Sequence, residues 1–147
     1  MSATWITPIT DRQEADIVNQ TTKAYVNATD LNRIEGNLAY LQAALQSLQY
    51  PVAIEAAKTD WTRRDLPNVT HLRRICRSVM AFAAQYCSPA GFADVSALPD
   101  TALEYIGVNR LENDLRLLKA AMDGMVASYK QASFKSGATL FLPIRRV

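Results

Sequence analysis

Apolar residues recur along this chain at steps of three and four. Leu31, Ile34, Leu38, Leu41, Leu45 and Leu48 fall on one stripe of a helix, and Leu72, Ile75, Val79, Phe82 and Tyr86 repeat the pattern. Val108, Leu111, Leu115, Leu118, Met122, Met125 and Tyr129 make the longest seam. A strand would need a period of two, which these segments lack. The spacing therefore predicts an all-α fold, a bundle of three long amphipathic helices over 29–49, 68–87 and 101–132. A shorter helix is expected near the N-terminus, about 12–26, where Ala15, Val18, Thr22 and Tyr25 keep helical spacing.

Punctuation supports these spans. Thr29 or Asp30 can cap the first long helix, and Tyr50-Pro51 closes it. Asn68 or Thr70 can open the second, which runs out at Ser88-Pro89-Ala90-Gly91. The third starts either at a capping box of Thr101 with Glu104 or later, near Gly107. After Ser136-Gly137 the residues 138–147 read as an extended apolar arm, with Leu140, Phe141, Leu142 and Ile144 available for contact with the bundle or with another chain.

The helices share a frame. Leu31, Leu72 and Val108 are each followed two positions later by an arginine: Arg33, Arg74 and Arg110. Residues 32–45 and 109–122 agree at seven of fourteen positions, including Asn, Arg and Glu, which an apolar heptad alone would not impose. Each arginine is expected to lay its stem beside the seam and pair with a carboxylate, or else to serve an interface. The connectors rhyme as well: Trp5 and Trp61 each sit in a Thr-rich, Pro-containing stretch poor for helix, suited to covering the ends of the bundle or to anchoring a subunit contact.

Composition narrows the function classes. The 147 residues are 49% hydrophobic and 20% charged, in the range of one globular domain, and the net charge is only +2. Asp11, Arg12, Glu14 and Asp16 interrupt any secretory signal, and no run reaches membrane-span length, so a cytoplasmic origin is expected. Cys76 and Cys87, expected in one helix about 16 Å apart along its axis, are too distant for a disulfide and read as small core or boundary side chains. With one histidine, His71, and no paired-Cys motif, no metal site is expected. No phosphate-cradling glycine loop or nucleophile motif occurs, so no cofactor and no catalytic residue are assigned. Glu112 with Asp114, and Glu14 with Asp16, stand two apart on helices and point in different directions. The one concentrated basic feature is Arg63, Arg64, Arg73, Arg74 and Arg77, a candidate phosphate-backbone surface.

Together, T-W-I-T-P-I-T-D-R, N-A-T-D-L-N-R-I-E-G-N-L-A-Y-L, D-W-T-R-R-D-L-P and Y-I-G-V-N-R-L-E-N-D-L resemble a helical module of tail and baseplate-region structural proteins from phages and prophages of Gram-positive bacteria. The likeness covers residues 4 to about 137. It implies a non-enzymatic virion component located in the tail, made in the host cytoplasm and acting through protein contacts as a homo-oligomer or with other tail proteins. Trp5, Trp61, Arg33, Arg110 and the arm are then the interface candidates, and a small nucleic-acid-binding or regulatory protein using Arg63 to Arg77 is the rival. The family's Ser-Gly-Glu continuation is replaced here by Ser136-Gly137-Ala138, which suggests a free-standing module.

Overall fold

A computed structural model describes residues 3–100 and 104–135. Among them the regular structure is entirely helical: α1 (Glu14–Val18), α2 (Ala28–Ser47), α3 (Val69–Gln85) and α4 (Tyr105–Lys135), with a single 3-10 turn at Leu98–Asp100. No described helix is long and apolar enough to cross a membrane. The expected arm, with Leu140, Phe141, Leu142 and Ile144, lies outside the described residues.

The three long helices run in the same direction. Arg33 meets Glu112 and Tyr40 meets Lys119, so numbering rises together along α2 and α4. Glu35 meets Arg74 and Tyr50 packs on Tyr86, which makes α3 parallel to α2. Parallel neighbours need long return connections, and both returns, like the N-terminal segment, are extended stretches lying in grooves between two helices. Residues 3–12 descend between α2 and α4, with Ile6 beside Asn37 and Arg12 beside Asn109. Residues 52–61 descend between α2 and α3, touching Gln42, Glu35 and Asn32 in that order. Residues 91–98 descend between α3 and α4, from Leu117 past Asp114 to Gly107.

The core joins the three apolar seams. Ile34, Leu38, Leu41 and Leu45 of α2, Ile75, Val79 and Phe82 of α3, and Leu115 and Leu118 of α4 are all almost completely enclosed. Val52, Trp61 and Val95 of the connectors complete it. Each fully buried aliphatic or aromatic side chain contributes about 1.5–3 kcal/mol.

The boundaries depart from expectation for local reasons. The N-terminal helix holds only Glu14–Val18, not 12–26. Asp16 accepts from the Thr21 hydroxyl, and Gln20 adopts a left-handed φ of 53°, which ends the helix there. The cap of α2 is Asn27, not Thr29 or Asp30; Asp30 is instead the third residue of the capping box, bonding back to the Asn27 N–H. Asn68 caps α3 with the same backbone angles, φ −123° and ψ 178°. The last helix begins at Tyr105, between the two starts the sequence left open. Cys87 lies beyond the end of α3 rather than in one helix with Cys76, and both cysteines are free.

Candidate functional site

The buried charged residues gather mainly at two centres built on the same plan. In the first, Arg12 of the N-terminal connector, Asp30 and Arg33 of α2 and Glu112 of α4 are all buried; Arg33 is 6% exposed and Glu112 0%. Arg33 reaches Glu112 from Nε at 2.6 Å and from an η nitrogen at 2.8 Å, and donates to Asp30 at 2.6 Å. Arg12 lies 2.8 Å from Glu112 and 3.2 Å from Asp30. Two guanidiniums thus face two carboxylates, and the buried group is neutral overall. Burial pulls the Arg33 pKa down, but the bonds to Glu112 and Asp30 outweigh it and hold the pKa above the usual arginine value.

In the second centre, Glu35 of α2, also fully buried, receives the Trp61 indole N–H, the Arg74 guanidinium and the Lys58 backbone N–H. The parallel is residue by residue. Glu112 accepts the Ile9 N–H where Glu35 accepts that of Lys58, and takes Arg12 where Glu35 takes Trp61. Three residues earlier on each helix an asparagine grips the connector at two points. Asn32 accepts from the Trp61 N–H at 2.8 Å and donates to the Trp61 carbonyl at 3.0 Å. Asn109 does the same to Arg12, at 3.2 and 3.0 Å. The turn that follows is shared too, with Asp65 accepting from the Thr62 N–H and Asp16 from the Gln13 N–H.

Two further amides clamp connectors in the same manner, Asn37 on Ile6 and Gln85 on Ala53. An extended segment has no ladder partner in an all-helical domain, and its buried backbone groups must be paired. The side-chain amide offers one donor and one acceptor at strand-like spacing, and so takes the place of a neighbouring strand.

These placements settle where the sequence-derived residues sit. Trp61 does not cover an end of the helices; it fills the α2–α3 groove at 4% exposure, edge-on to His71. Trp5 lies half-buried against Tyr40 with Lys119 above its ring. Arg33 is enclosed rather than presented at a surface. Arg110 is exposed and lines a small pocket with Asp94, Leu98 and Gly107. The basic cluster divides: Arg74 turns inward to Glu35, Arg77 pairs with exposed Glu55 at 2.9 Å, and Arg63, Arg64 and Arg73 are exposed. Arg12, Asp30, Glu35 and Asn37 were missed as contributors. Of these only Glu35 carried a sequence signal, the repeated Asn-Arg-x-Glu; nothing in the local pattern marked Arg12, Asp30 or Asn37.

On the outside, a groove of about 610 Å³ runs over α2 between the first two connectors, floored by Asn32, Gly36 and Ala39 and walled by Thr4, Ile6 and Thr59. Large apolar side chains stand exposed at Leu66, Val69, Tyr25, Ile106 and Tyr129. Among the described residues no group of three metal-ligating side chains converges. In comparisons with protein families, curated proteins and solved structures, the chain matched none.

Proposed function

We propose that this chain is a non-enzymatic structural subunit of a phage or prophage particle, in its tail or baseplate region, working through fixed surfaces offered to copies of itself or to neighbouring tail proteins. One observation carries this reading most: the charged and amide side chains at the core are spent on clamping the extended connectors to the helices. Burial of paired charges is costly and yields little net stability, but it penalises alternative packings severely, a property suited to holding a surface in one shape. The likeness of the Trp-x-Thr-Pro and Asp-x-Asn-Arg-Ile-Glu segments to tail-region modules supports the same reading. Exposed Leu66, Val69, Tyr25, Ile106 and Tyr129 supply apolar area for contact, and the apolar sequence of residues 138–147 suits pairing with a second chain.

Sedimentation of the full chain over a wide concentration range tests this. A closed oligomer is expected, shifting toward monomer when residues 138–147 are removed. A monomer at every concentration, unchanged by that deletion, contradicts it.

A further inference from the structure

The two-point clamp fails at one place. Asp114 stands in α4 at the position that Asn37 holds in α2, five residues beyond the gripping asparagine of each helix, Asn109 and Asn32. Asn37 takes the Ile6 N–H on Oδ1 and gives its own N–H to the Ile6 carbonyl, at 2.9 and 2.8 Å. Asp114 takes the Ala93 N–H on Oδ1 at 2.8 Å, while its Oδ2 is buried without a partner. The residue is 0% exposed, so water does not serve that oxygen from bulk. A carboxylate has no donor for a second bond; a carboxylic acid has one.

We propose that Asp114 is a proton-operated latch on the connector between α3 and α4: as the acid it grips Ala93 at two points, as Asn37 grips Ile6, and on ionisation it keeps only the N–H contact. Desolvation works in this direction, pushing the Asp114 pKa up to about 6, partly offset by the Ala93 N–H and reinforced by the negative charge of Asp94 on the same connector. Across the groove α3 presents Arg73, Cys76 and Arg77 to a pocket beside Ser96, while Asp94 is the charge that raises the Asp114 pKa. The sign follows. Because the folded pKa lies above the unfolded value of 3.8, the folded state holds the extra proton between the two. Stability is therefore greatest below about pH 4 on this account, falls as pH rises through about 6, and is level beyond it.

The test compares Asp114→Asn, which carries a permanent donor, with the natural chain by chemical denaturation from about pH 4 to pH 7.5. The variant is expected to be the more stable, by a margin that grows with pH to roughly 100-fold in the folding constant and then stays flat. The Ala93 N–H should also gain hydrogen-exchange protection at neutral pH in the variant. A margin independent of pH, or a variant less stable at neutral pH, overturns the proposal. Carbon NMR titration of the Asp114 carboxyl in the natural chain gives a reading that needs no variant; a midpoint at or below about 4 would also overturn it.

Discussion

Trp61 and Arg12 are structural counterparts. Each is held through its backbone N–H and carbonyl by an asparagine, Asn32 or Asn109, and each turns a side-chain N–H toward the glutamate three residues further along that helix, Glu35 or Glu112. An indole and a guanidinium have little in common beyond a long, partly apolar stem ending in an N–H donor. That is what the place requires: stem against the seam, donor on a buried carboxylate.

Replacing Glu112 with Gln should be among the most damaging single changes. It leaves Arg12 and Arg33 with Asp30 alone in a buried setting, and breaking such a pair costs about 3–5 kcal/mol. Guanidinium denaturation would show a strongly lowered midpoint. A loss below about 1 kcal/mol would mean the cluster is hydrated or rearranged.

Trp61→Phe separates the two jobs of the indole. The ring still fills the groove, but Glu35 loses one of its three donors while staying buried, so a cost of about 1–3 kcal/mol is expected from denaturation. Trp61→Leu removes packing as well and should cost more, up to about 5 kcal/mol.

Cys76 is buried, and desolvation raises its thiol pKa to about 11. A thiolate is the reacting form, so a thiol reagent near neutral pH should modify Cys76 only as fast as the fold opens. Labelling rates measured with and without denaturant check this. Rapid modification of Cys76 under native conditions would contradict its enclosure.

Gly107 stands directly against the Leu98 side chain, and a Cβ added there would overlap Leu98 Cδ1. Gly107→Ala therefore forces the Leu98 tip aside, and after the helix propensity that Ala gains a net loss of about 0.5–2 kcal/mol is expected in the same denaturation assay. Gly36→Ala meets nothing within 4 Å and gains helix propensity. It should be neutral or stabilising by up to about 1 kcal/mol.

Duplex DNA titration at low and moderate salt addresses the rival reading. With Arg74 committed to Glu35 and Arg77 facing Glu55, weak binding is expected, little altered in the variant Arg73→Ala/Arg77→Ala. Tight, salt-sensitive binding abolished in that variant would favour a nucleic-acid role.

The helical seams were legible because burial selects a period that the chain displays openly, as in Leu31 through Leu45 or Val108 through Met122. The arginine frame was legible in part. Arg33 and Arg74 do lie beside the seam and meet carboxylates of a neighbouring helix, whereas exposed Arg110 has no such pairing among the described residues. Two things stayed hidden. The short N-terminal helix was overread because spacing alone does not register the left-handed turn at Gln20. The tryptophan rhyme misled because identity of side chain suggested that Trp5 matches Trp61, while the true counterpart, Arg12, shares only a donor at the end of a stem. Which carboxylate an arginine meets depends on how parallel helices are set beside each other, and no local pattern encodes that.

The central claim is that the extended connectors are fixed to the helices by side-chain clamps, so that α2–α4 and their connectors among the described residues behave as one rigid piece. Native-state hydrogen exchange at the backbone N–H groups of Ile6, Arg12 and Trp61 tests it most directly. The account predicts that these three exchange nearly as slowly as the core of α2 and open together with it. Exchange at rates typical of exposed coil, while α2 remains protected, would contradict it.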